Sequence, residues 1–204
     1  MTTADYSQSR QQALIARARH GDVPALGELL AQYRAYLVFL ARSQLHHNLQ
    51  AKADPSDMAQ EVCLAAQDGI GEFQGGSPEE FAAWLRGILG KVIAMHVRRY
   101  LGTHKRDPRL ELGLDQRLAD ASGFLQSGLA GDATSPSQHA LRQEACLQLA
   151  DALEALPADY RQVIMLRHLE GLPFADVARH MGRSIDSVEK LWVRALSKLR
   201  SQLN

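Results

Sequence analysis

The sequence predicts an all-α protein: two small helical domains joined by a flexible linker, the C-terminal one a helix-turn-helix. Three observations predict it. Ala, Leu, Gln and Arg are abundant and β-branched runs are few, so helices should dominate with essentially no sheet. Apolar residues recur at three- and four-residue spacing in both the first hundred and the last sixty-odd positions. Between them, from about Lys105 to His139, that spacing fails: Gly113, Gly123, Gly128 and Gly131 interrupt it and Ser135-Pro136-Ser137 closes it. The chain has 204 residues, enough for two small domains when a usual domain takes roughly 100–150. The expected boundaries are 1–104, a linker at 105–139, and 140–204.

Helix starts are marked by local chemistry. Asp22 with Pro24, Asp54 with Pro55 and Ser77 with Pro78 each set an N-capping side chain beside a first-turn proline, whose missing N–H costs nothing there. Ser77 and Glu80 also make a capping box. Helices are therefore expected at about 8–19, 23–48, 55–69 and 78–101. Leu26, Leu29, Leu30, Tyr33, Leu37 and Leu40 line one apolar face, and Phe81, Trp84, Leu85, Ile88, Val92 and Met95 another, so these helices should pack as a bundle with Phe81 and Trp84 serving its core. A short helix near Leu110–Leu118 is expected within the linker. Beyond it, helices are expected at about 137–155, 158–169, 174–181 and 184–202, with Gly171 and Pro173 separating the second from the third.

Charge is informative in its distribution. Lys plus Arg equals Asp plus Glu at 23 each, so the total gives no argument for a nucleic-acid partner. Yet Trp84 to Arg109 holds seven Lys or Arg and one Asp, while Asp54 to Glu72 holds five Asp or Glu and no Lys or Arg. One surface suits phosphate and another suits a basic protein.

Enzyme chemistry finds no support. There is no HExxH, no Gly-rich phosphate loop ending in Lys-Ser or Lys-Thr and no GxSxG, so neither a catalytic residue, a metal ligand nor a cofactor is assigned. Cys63 and Cys146 lie far apart in apolar helical patterns and are read as buried thiols. No charged-then-apolar leader opens the chain and no apolar run approaches the ~20 residues that span a bilayer, so a cytoplasmic protein without membrane insertion is expected.

Three segments carry the functional reading. Residues 173–200, PFADVARHMGRSIDSVEKLWVRALSKLR, read as a short helix, a turn at Gly182 and a longer helix capped by Ser184. Ala178 is small where the two helices cross. Val177, Met181, Val188, Trp192, Ala195 and Leu199 form a seam that leaves Asp186, Glu189, Lys190, Val193 and Arg194 outside it. Such a helix fits the major groove, about 12 Å wide. Residues 54–66, DPSDMAQEVCLAA, place Asp57 and Glu61 one turn apart with Gln60 beside them, a stripe suited to arginines on a partner. Residues 73–100, FQGGSPEEFAAWLRGILGKVIAMHVRRY, join a Gly-containing loop to a basic helix.

Together, taken in their order along the chain, the three segments resemble the sigma-70 family, in particular its compact extracytoplasmic-function (ECF) group. The resemblance covers about 10–104 and 140–202. It implies a factor that binds RNA polymerase core through the β′ and β subunits and directs it to promoter DNA. Asp57, Gln60, Glu61 and Val62 fall on the family's polymerase-binding positions. Gln74, Gly75, Gly76 and Ser77 fall on the loop where the family captures a flipped −10 base, and the two glycines are expected to free it. Arg86, Lys91, Arg98 and Arg99 would attract the melted strand. Arg183, Ser184, Ser187, Glu189, Lys190, Val193 and Arg194 would meet the −35 element. Lys91 stands where the family commonly has Asn, and Met95 where it has Asp. An anti-sigma factor is a candidate regulator. A conventional helix-turn-helix repressor is the rival reading, separated by whether DNA binding needs polymerase.

Overall fold

Capping side chains start several of the helices where the sequence places them. In the computed structural model, which describes residues 3–44, 54–101, 120–121 and 136–203, α1 spans Thr3–Arg19 and α2 Val23–Gln44. Gly21, at φ +87°, turns the chain between them. Asp22 then caps α2: its Oδ1 accepts from the Ala25 N–H at 3.0 Å and its Oδ2 from Arg17. The Ala25 N–H, followed by Arg17, holds the Asp22 carboxyl below the usual carboxylate range. α1 begins some five residues before the expected start, and the expected continuation of α2 to 48 lies outside the described residues.

α3 spans Pro55–Gly69, with Asp54 Oδ1 accepting from the Ser56 N–H at 2.7 Å. A 3-10 turn, Ile70–Glu72, leads out of it. α4 runs Pro78–Leu101. Its capping box closes as the sequence predicts: the Glu80 N–H donates to Ser77 Oγ at 3.2 Å and the Ser77 N–H to Glu80 Oε2 at 3.0 Å.

These helices share one core. α2 packs against α1, α3 and α4, and α3 against α4. Tyr33, Tyr36, Phe39, Phe81, Leu29, Leu37, Leu40 and Leu85 are fully buried. The rings meet edge to face, Tyr33 with Phe81 at 5.2 Å and Phe73 with Phe81 at 5.8 Å. Each such side chain contributes about 1.5–3 kcal/mol by leaving water, so the bundle does not depend on helix propensity alone. Phe81 is core as expected, whereas Trp84 is only half-buried.

The chain divides into two compact units, Met1–Leu147 and Gln148–Asn204. The division falls inside α5, Pro136–Glu154, later than the boundary read from composition. The expected linker helix near 110–118 lies outside the described residues, as does most of 105–139.

In the second unit α6, Ala158–Ile164, widens into a π-helical turn over Met165–Leu169, with the Glu170 N–H donating to the Met165 carbonyl. The sequence reading had one regular helix there. Arg161 secures the turn before α6 by donating to the Glu154 carboxylate at 2.6 Å and its carbonyl at 3.0 Å. α7, Phe174–Met181, and α8, Ile185–Leu203, follow, and α8 packs against both α6 and α7. Among the described residues there is no strand.

Candidate polymerase and promoter surfaces

On α3 the solvent face reads Asp57, Gln60, Glu61 and Leu64, spaced so that all lie on one side of the helix. Asp57 and Gln60 are exposed. Glu61 is half-buried because His96 of α4 meets it: the ring Nε2 lies 2.9 and 3.0 Å from its two carboxylate oxygens. Val62 does not belong to this face. It is fully buried beside Met58, Ala59 and Ala66, so it fixes how α3 seats on the bundle and is not a surface contact. Leu64, which the sequence reading passed over, is 56% exposed on the stripe itself. Its position, four residues after Gln60 and three after Glu61, is the signal that finds it. Cys63 is half-buried rather than buried, and desolvation pushes its thiol up. Cys146 is buried, and desolvation pushes its thiol up to about 12.

The loop between α3 and α4 is fastened, not freed. The Glu80 carboxylate accepts from the Gly76 and Ser77 N–H groups, which with Ser77 Oγ hold the Glu80 carboxyl low. Arg19 of α1 donates to the Gly75 carbonyl at 3.2 Å, and the Tyr33 hydroxyl donates to the Pro78 carbonyl at 3.1 Å. Neither Gly75 nor Gly76 has positive φ. Gly75 is required for space: a Cβ there would sit 2.4 Å from the Phe73 ring and 2.9 Å from Glu80 Cβ. The expectation that the two glycines loosen the loop is therefore corrected. Gln74 and Gly76 are exposed, and Ser77 is half-buried in its cap.

α4 carries the expected basic residues, in three different situations. Lys91 is exposed beside a groove of about 600 Å³ that also takes in Trp84, Ile88 and Met95 of α4 and Glu61 of α3. Arg86 is half-buried and donates to the hydroxyl of the buried Tyr36 at 2.8 Å, so it braces α4 on α2. Arg98 and Arg99 continue the helix, and their side chains lie outside the described set.

In the second unit Gly182 ends α7 at φ +63°, and the Arg183 N–H reaches back to the Ala178 carbonyl at 3.0 Å, a Schellman closure. Ser184 Oγ accepts from the Ser187 N–H at 3.3 Å and starts α8. Val177, Ala178, Val188 and Ala195 are buried at the crossing; Met181, Trp192 and Leu199 are half-buried. Arg183, Ser184, Glu189, Lys190, Val193 and Arg194 are all exposed, with Ser187 half-buried. Lys190 bonds Asp186 one turn back at 2.8 Å, and Arg183 pairs with Asp159 of α6. Behind α8, the Trp192 Nε1–H donates to His168 Nε2 at 3.0 Å, and Phe174 meets Trp192 edge-on at 5.5 Å. Burial, then the charge of Arg167, lowers the His168 pKa, in keeping with a ring nitrogen that must accept. Among the described residues no His, Cys, Asp or Glu cluster has metal-site geometry, and no helix is long and apolar enough to cross a membrane.

The described residues thus form a helical unit with an acidic and amide face and a fastened loop, followed by a helix-turn-helix with an exposed second helix. Residues 29–101 match the family model "Sigma-70 region 2" and residues 146–199 match "Sigma-70, region 4". Together these cover more than half of the chain, and the protein belongs to the sigma-70 family, as a factor of the ECF group that directs promoter-specific transcription by RNA polymerase. It is similar to the ECF RNA polymerase sigma factor SigD of Mycobacterium tuberculosis, 29% identical over 95% of this chain and 84% of that protein. It is also similar to the RNA polymerase sigma-H factor of Pseudomonas aeruginosa, 28% identical over 93% of this chain and 91% of that one. Among solved structures, CnrH in complex with the cytosolic domain of CnrY is 25% identical, covers 95% of this chain and 97% of that chain, and has a TM-score of 0.36.

Proposed function

We propose that the α3 stripe docks on the β′ subunit of RNA polymerase core while the first unit engages the −10 element and the second the −35 element. In this reading Asp57, Gln60 and Glu61 receive basic side chains of the partner and Leu64 supplies an apolar anchor among them. The loop at Gln74, Gly75, Gly76 and Ser77 takes an unpaired base. Unstacking that base costs a few kcal/mol, and a loop already fastened by Arg19 and Glu80 adds less ordering cost than a free one. Lys91, Arg98 and Arg99 give the strand its electrostatic hold, with Arg86 acting on them through the position of α4.

α8 enters the major groove at −35. Arg183, Lys190 and Arg194 make phosphate or guanine contacts, and Ser184, Ser187, Glu189 and Val193 lie at base-edge height, where Glu189 suits the N4 donor of cytosine. Residues 105–139 connect the two DNA contacts, which strengthen each other through effective concentration once both sit on one enzyme. That coupling accounts for how a chain of zero net charge achieves specificity. The factor acts in the cytoplasm as an initiation factor without catalytic residues, and an anti-sigma protein is its candidate antagonist.

The observation that carries the reading is the exposure of every expected −35 contact except half-buried Ser187, with those on α8 opposite a seam of buried Val188 and Ala195. Single-round transcription with purified core enzyme tests it. The full chain is expected to start transcripts at discrete genomic promoters and to shift duplex DNA weakly without core. A tight shift without core, together with no promoter-specific start, would instead establish a conventional repressor or activator.

A further inference from the structure

The contact between α3 and α4 assigns a task to a residue outside every expected contact set. His96 sits on α4 with its side chain 13% exposed, and its Nε2 bridges both carboxylate oxygens of Glu61, whose side chain is 39% exposed. A carboxylate only accepts, so the bridging nitrogen carries the proton. A single N–H shared between two oxygens fixes the rotation of the carboxylate as well as its distance. The rest of Glu61 stays open to solvent beside exposed Asp57 and Gln60.

We propose that His96 is a positioning residue for polymerase docking: it holds the Glu61 carboxylate in the orientation that a partner's basic side chain meets. The proposal rests on the reading that the α3 stripe docks polymerase. A carboxylate held in advance loses less rotamer freedom on binding, and the same contact ties the docking helix to the helix that carries Lys91. Lys91 and Glu61 both border the groove between α3 and α4.

Binding of the labelled full-length chain to purified core polymerase, with unfolding midpoints measured in parallel, tests it. His96→Phe is expected to weaken core binding roughly 3- to 10-fold, and His96→Gln, which restores an N–H donor, to recover most of that loss. In a Glu61→Ala background His96→Phe should add nothing further; combined with Asp57→Ala, one helical turn before Glu61 on α3, its effect should add in full. Additivity with Glu61→Ala, or no recovery by His96→Gln at an unchanged unfolding midpoint, overturns the assignment while leaving stripe docking intact. If Asp57→Ala and Glu61→Ala both bind core like the parent chain, the docking reading fails and the His96 assignment with it.

Discussion

The two units hold their functional side chains in opposite ways. In the first, Glu61 is bridged by His96, Arg86 reaches the buried Tyr36, the Gln74–Ser77 loop is fastened by Arg19 and Glu80, and Tyr33 holds the Pro78 carbonyl where α4 begins. In the second, the proposed contact residues stand on the outer face of α8 and in the turn before it, and pair with other exposed charges, Lys190 with Asp186 and Arg183 with Asp159. Exposed pairs of this kind contribute about 0–1 kcal/mol, so phosphates can displace them at little cost. The difference suits the tasks proposed for the two units. A surface proposed to receive an unstacked base benefits from a preformed site, whereas a helix proposed to enter a groove needs charges that re-pair on contact.

The largest expected effect lies in the aromatic core of the first unit. Phe81→Ala removes a fully buried ring that meets Tyr33, Phe73 and Trp84, and should cost about 3–5 kcal/mol in chemical denaturation. A loss below about 1 kcal/mol would contradict the account of a tightly packed bundle. Next, Leu64→Asp should weaken core binding by ~10-fold or more with the fold intact, since the side chain is already exposed. Unchanged core affinity would remove Leu64 from the docking surface.

In the second unit, Gly182→Ala sets a Cβ at φ +63°, where no neighbour lies within 4 Å, so backbone strain alone should cost about 1 kcal/mol. Urea unfolding midpoints measure it, and no shift would mean the turn relaxes. Lys190→Ala and Arg194→Ala should each weaken promoter binding by the polymerase complex, and a phosphate contact predicts a salt slope shallower by ~1. If only one promoter position becomes less selective, the residue reads a base instead.

The smallest effect is a pH dependence at His168. Its folded pKa is lowered, first by burial and then by Arg167. Its contribution is therefore present above the ordinary value of about 6.5 and lost as pH falls through the lowered folded value. The chain has two tryptophans, Trp84 and Trp192, so in a Trp84→Phe background the Trp192 indole that bonds His168 reports the change directly. An unfolding midpoint independent of pH between about 7 and 5 would rule the coupling out.

Legibility in the sequence followed the distance over which each feature is encoded. The starts at Pro55 and Pro78 and the αL turn at Gly182 are set by residues within four positions of each other, and they were readable. The same holds for the α8 face, where helical spacing separates Val188 and Ala195 from Glu189, Lys190, Val193 and Arg194. The Arg19 bond to Gly75 spans 56 positions and the His96 bridge to Glu61 spans 35, and no local pattern announces either. Gly75 was misread because a glycine demanded by a neighbouring ring looks, in sequence, like one that loosens a loop. Val62 was grouped with Asp57 and Glu61 by motif, although its neighbours Met58, Ala59 and Ala66 place it on the inner face. The π-helical turn at Met165–Leu169 leaves no mark in residue type.

A crossed binding measurement tests the division of labour most directly. Asp57→Ala/Gln60→Ala and Lys190→Ala/Arg194→Ala would each be assayed for affinity to purified core, and core saturated with each would be footprinted at the −35 region of a promoter. The account predicts that the first pair lowers core affinity by ~10-fold or more and leaves the upstream footprint intact once core is saturated. The second pair should bind core normally and lose that footprint. Equal loss of core affinity in both pairs, or an upstream footprint that survives the α8 substitutions, would contradict it.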